Sequence, residues 1–131
     1  MATLELFGCS IWIGNGQVDY IDPDFASLGD SFYPKEDLLQ ISFPTTLLLD
    51  VGWYPEGNPQ GAFGVVAIHN FDWVDPVFKM RAKDVPTMLE AISQAVVHIT
   101  HLQLAQEQTE EQRSVTSRTS STVDDQSSLR C

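Results

Sequence analysis

Cysteine, cations and long apolar runs are scarce in this sequence, and each shortage excludes a class of protein. Two cysteines, Cys9 and Cys131, stand at opposite ends of the 131 residues. They supply neither a disulfide framework nor a paired-cysteine metal knuckle, and this usage fits a reducing compartment. No apolar run approaches the ~20 residues needed to span a bilayer, so no membrane segment is expected. The opening residues, Met1 to Gly8, carry no basic stretch and soon meet Glu5, which argues against a secretory signal. No asparagine opens an Asn-x-Ser/Thr sequon. The expected location is cytoplasmic. Also missing are a Gly-x-Ser-x-Gly elbow, a phosphate loop, a Gly-x-Gly-x-x-Gly fingerprint and a His-Glu-x-x-His pair. Those are the short signatures of hydrolase, nucleotide and zinc chemistry.

Cations are the most telling shortage. Lys and Arg total 7 against 18 Asp and Glu, a net charge of −11. The imbalance sits in residues 1–75, where eleven carboxylates face one cation, Lys35. Such a field repels nucleic-acid phosphates and anionic membranes, and it favours a basic protein or a metal ion. It equally serves solubility alone. No nucleic-acid or membrane partner is expected.

What is present suits one small folded body. The hydrophobic content is 43%, and a body of about 100 residues buries a core without staples. Residues 3–13 alternate as a strand with an irregularity at Gly8, and Gly14-Asn15-Gly16 predicts a turn into a return strand, Gln17 to Ile21. Asp22 to Asp37 reads as a long loop. Strands are expected at 39–43, 45–54, 62–70 and 77–82, the middle two apolar enough to be central. Pro44 stops the first of these or displaces it to an edge. Short connections predict an antiparallel meander. Asp84 caps a helix with Pro86 in its first turn, or Thr87 with Glu90 starts it. Met88, Leu89, Ile92, Val96 and Ile99 make its apolar stripe, which fades past Leu104. From Arg113 onward nine of nineteen residues are Ser or Thr, a composition too polar to offset chain entropy. The expected fold class is therefore α+β. A mostly antiparallel sheet of five to six strands carries one C-terminal amphipathic helix on one face. The domain spans 1–105, and 106–131 is a frayed helix end and disordered tail.

Few constellations carry chemistry. Asp22-Pro23-Asp24 opens like a calcium loop, but position five is Ala26, the glycine falls at Gly29 and position twelve is Tyr33. These aspartates read as turn residues. His98 and His101 lie on adjacent helical turns after Glu90 and Gln94, and are candidate ligands for zinc or nickel. A solvated helix face is the plainer account, and no cofactor is expected. Cys9 and His69 could pair as nucleophile and base only if the fold brings them together. No catalytic residue is assigned.

Three aromatic–acidic clusters stand out instead. Asp19, Tyr20, Asp22 and Asp24 form the first; Trp53, Tyr54 and Glu56 follow Asp50 in the second; Asp72, Trp73 and Asp75 form the third. Trp and Tyr give contact area at low entropy cost, while carboxylates attract Lys and Arg. The alternative is that both tryptophans cover core edges and the aspartates are turn residues. Leu47–Trp53, Phe63–Ile68, Asp72-Trp73 with Pro76, then a strand and an amphipathic helix, resemble small bacterial immunity-type proteins. Those are acidic α+β domains that neutralise toxin domains by direct binding. The resemblance implies a non-enzymatic protein-binding domain with a basic protein partner, and it assigns no residue roles. A rival reading is a small enzyme or metal-dependent domain using loop carboxylates with His69 or His98/His101. A third is a scaffold, such as a homodimer, pairing through a sheet edge.

Overall fold

The computed structural model describes residues 2–23, 37–111 and 129–131, with side chains of the helix described to residue 105. Among these residues the fold is α+β: eight strands in two antiparallel sheets, and a helix shared between them. Asp24 and the expected tail over 112–128 lie outside the described residues.

The first sheet begins with β1 (Ala2–Leu6) and β2 (Cys9–Gly14), which form a hairpin. Its turn is Phe7-Gly8, with φ of 54° and 77°. Positive φ at both central residues gives the twist that a two-residue hairpin needs. The expectation of one strand over 3–13 is thereby corrected, and the irregularity expected at Gly8 is the turn itself. Gly14-Asn15-Gly16 turns the chain as expected, but into the other sheet. β3 (Gln17–Ile21) pairs with β4 (Leu39–Phe43), not with β2.

The second sheet runs in the order β3, β4, β5 (Leu47–Tyr54), β6 (Ala62–His69) and β7 (Phe78–Ala82). Sequential order with antiparallel pairing is the expected meander. β5 is its central strand, and Pro44 ends β4 within the turn that leads to it. Alternation sends Leu47, Leu49, Val51 and Trp53 to one face, opposite Ala67, Val65 and Phe63 of β6. The other face takes Leu48, Asp50, Gly52 and Tyr54.

Helix α1 (Val85–Glu111) follows β7 directly. Asp84 is its cap: Thr87 N–H donates to Asp84 Oδ1 at 2.8 Å and Met88 N–H to Asp84 O at 3.0 Å. That exposed carboxyl is held below its usual pKa by hydrogen bonds from the Thr87 side chain and backbone. Met88, Leu89, Ile92, Val96 and Ile99 are buried as the stripe predicts, together with Ala91 and Ala95. The helix packs on β2 on one side and on β6 and β7 on the other. One core therefore joins Leu6, Ile11 and Ile13 of the small sheet to Ile41, Leu49 and Val65 of the large one. Each large side chain there contributes about 1.5–3 kcal/mol before entropy costs. No helix of the described residues is long and apolar enough to cross a membrane.

The last three residues add two features that the sequence reading does not contain. Leu129–Arg130 is a strand, β8, paired to the free edge of β2 through Ser10↔Arg130 and Ile11↔Leu129. Beside it Cys9 and Cys131 are joined by a disulfide, with Sγ–Sγ at 2.11 Å. The fold folds the sequence back so that its two distant cysteines meet. Cysteine usage therefore no longer argues for a reducing compartment.

Candidate functional site

Two places on the surface concentrate functional side chains, one across β3, β4 and β5 and the other in the connection from β6 to β7. The first is a cleft on the face turned away from the core. Register places Tyr20 of β3 opposite Gln40 of β4, and Gln40 opposite Asp50 of β5. With Asp37 and Leu39 these residues line a cavity of about 400 Å³. Asp50 is only 8% exposed. Gln40 Nε2 donates to its Oδ1 at a long 3.5 Å, and the Tyr54 side chain also hydrogen-bonds it. Burial pushes the Asp50 pKa up, and the charge of Asp37 adds to the rise; the bonds from Gln40 and Tyr54 offset part of it. Alongside, Tyr20 Oη donates to Asp22 Oδ1 at 3.4 Å. Such a cleft can accept a small cationic or hydrogen-bonding group, and Asp50 can take up or release a proton there.

The second place is the loop from Asn70 to Val77 between β6 and β7. Asn70 and Phe71 adopt positive φ, 56° and 60°, and reverse the chain sharply. Asp72 Oδ1 then accepts from the N–H groups of Val74 at 3.1 Å and Asp75 at 3.2 Å. That bonding holds the tip in one shape, as an Asx-turn does. The loop is tied at its base, where Val77 N–H donates to Ala67 O at 2.8 Å. Its tip leaves Phe71 69%, Trp73 52% and Val74 94% exposed. The ordered loop thus holds three large apolar side chains in solvent as one exposed hydrophobic patch.

The expected contact residues are distributed between these places and the core. Asp19 and Tyr20 are exposed on β3, at a register irregularity, whereas Asp22 is 1% exposed. Trp53 is a core residue: its ring meets Phe63 edge-on at 4.9 Å, and its Nε1 donates to Asn58 O at 2.8 Å. Tyr54 lies half-buried on the opposite face, its ring against Gly64. Glu56 is exposed in the turn that follows. Leu47 pairs with His69 and Tyr54 with Ala62, so the eight residues of β5 separate the Trp73 loop from Tyr54 and Glu56 by roughly 24 Å along the strand. The three clusters do not make one face.

The histidines are scattered. His69 ends β6, His98 lies against Phe78 with ring centroids 6.1 Å apart, and His101 is exposed. No group of three or more His, Cys, Asp or Glu among the described residues could hold a metal ion. Cys9 is bonded to Cys131, so it is no nucleophile in this state. Asp37 and Gln40 are not among the expected site residues, and Asp50 is expected only as the start of the second aromatic–acidic cluster. The available signal was parity: Asp50 interrupts an apolar strand in phase with Leu48, on the face opposite Leu49 and Val51. No family model, no curated protein and no solved structure matches this chain.

Proposed function

We propose that the chain is a non-enzymatic protein-binding domain whose β6–β7 loop docks on a basic surface of another protein. The observation that carries this reading is the exposed Phe71, Trp73 and Val74 on a tip fixed by Asp72. Aromatic anchors of this kind dominate interface energies, and Asp72 and Asp75 beside them supply charge that steers a cationic partner. The net charge of −11 acts in the same direction. In the immunity-type form of this proposal the partner is a toxin domain and binding masks its basic face.

The test uses the intact chain as bait in source-cell extract, with Trp73→Ala and Asp72→Lys as comparison baits. A basic protein retained by the wild type, lost from both variants and released by salt supports the proposal. Equal retention by all three baits, or retention indifferent to salt, defeats it. The cleft at Asp50 favours a second reading, a site for a small cationic molecule. Calorimetric titration with simple alkylamines and alkylguanidines, against Asp50→Asn, checks it; equal heats for both proteins reject it.

A further inference from the structure

β8 is two residues long and makes two residue pairs with β2. A strand this short does not hold itself in place by backbone bonds alone, since even longer paired strands are marginal in isolation. Its other attachments are the partly buried Leu129, which packs on the core, and the covalent bond from Cys131 to Cys9. The two cysteines differ in exposure. Cys9 is 6% exposed, whereas Cys131 is an exposed residue. β2 is paired to β1 on its other side, so β8 covers the one edge of β2 that would otherwise present unpaired N–H and C=O groups.

We propose that the Cys9–Cys131 bond is a redox latch: formed, it holds β8 on β2; reduced by a dithiol, it releases β8 and uncovers the β2 edge. A thiolate of the dithiol attacks Sγ of the exposed Cys131, forming a mixed disulfide and breaking the Cys9–Cys131 bond. Cys9 leaves as a thiolate and takes up a proton. The second thiol of the reductant attacks the mixed disulfide, freeing Cys131 as a thiol and leaving the reductant as its own disulfide. Two electrons pass from the dithiol to the protein. Among the described residues, the packing of Leu129 on the core, the contact of β8 with α1 and the two ladder pairs then retain β8, while β5, β6 and α1 contribute no cysteine to the broken bond.

The experiment is hydrogen exchange read by mass spectrometry on the full chain in three forms: oxidised, reduced with dithiothreitol, and Cys131→Ser. Peptide mapping of the oxidised form without reductant is expected to recover the Cys9 and Cys131 peptides as one linked species. Reduction and Cys131→Ser should each speed exchange over residues 9–12 and 129–131 by about tenfold or more. Peptides from β5 and β6 should keep their protection, and reoxidation should restore the slow exchange. The proposal is overturned by unlinked peptides in the oxidised form, or by unchanged exchange at 129–131 after reduction. Loss of protection in β5 and β6 together with β8 also overturns it, because the bond would then be a staple for the whole fold.

Discussion

Thr46 and Asn70 bind two turns to each other: Thr46 Oγ1 donates to Asn70 Oδ1 at 2.6 Å, and Asn70 N–H donates to Thr46 O at 3.0 Å. Thr45, Thr46, Asn70 and Phe71 all have positive φ, a conformation that costs a residue other than glycine about 1–2 kcal/mol. The turn after β4 and the loop after β6 thus hold each other in unfavourable backbone states, and the second presents Trp73. Asn70→Ala loses the side-chain bond and keeps the backbone cost, so it should destabilise the fold by about 1–2 kcal/mol in urea unfolding. Asn70→Gly relieves the backbone and should fall between the two. Three equal midpoints would show that the tie contributes nothing.

Asp50 sets a pH dependence of unusual sign for a carboxylate. Its folded pKa is raised, by burial first, so the folded state binds more protons than the unfolded one. The favourable contribution is complete below the ordinary value of 3.8 and is lost as pH rises through the folded pKa. Asp50→Asn should therefore melt above the wild type at neutral pH, and the gap should close in acid. Thermal melts across a pH series decide this; a gap that widens on acidification contradicts it.

Asp84 should behave in the opposite way. Its folded pKa is lowered by hydrogen bonds from Thr87, so its contribution is present above 3.8 and is lost as pH falls through the folded value. Asp84→Ala removes a cap acceptor and should lower the melting temperature at neutral pH, with the difference shrinking in acid. Asp84→Ser, which keeps an acceptor for Thr87 N–H, should recover most of the loss and show less pH dependence. A serine variant no better than alanine would rule out the capping account.

Gly61 is fixed by contact. A Cβ at this position would stand 2.5 Å from the Tyr54 carbonyl oxygen and 2.8 Å from Trp53 Nε1. Gly61→Ala must displace backbone and break the indole bond to Asn58 O, a cost of about 1–3 kcal/mol of the kind seen on overpacking. Trp53 emission should shift with the lost bond. An unshifted spectrum and an unchanged melting point would show that the turn gives way freely.

Legibility in the sequence followed the range of the forces involved. β5, β6 and the helix stripe were readable because their periodicity reports burial directly, and the Asp84 cap because it acts within one turn. Trp53 was in principle readable as core, since it shares parity with Leu47, Leu49 and Val51. That β1 and β2 form a sheet of their own was not readable. Phe7 carries no turn signal, yet it adopts positive φ beside Gly8, while Gly14-Asn15-Gly16 offered a stronger signal for a hairpin that does not form. Nor could the cleft be read: Tyr20, Gln40 and Asp50 meet through register across three strands. The Trp73 loop was the opposite case, with its aromatic and acidic residues adjacent in sequence and presented together.

With Cys9 bonded to Cys131 across a sequence separation of 122, residues 9–131 form one covalent ring. A single peptide-bond cut inside that ring leaves one molecule with new ends, increased in mass only by the water of hydrolysis. Denaturing electrophoresis without reductant would not resolve the nicked chain into two pieces, and only reduction would. The same closure denies the unfolded oxidised chain its most extended shapes. It should therefore migrate as a more compact coil than its reduced counterpart, in the same denaturant and at the same length.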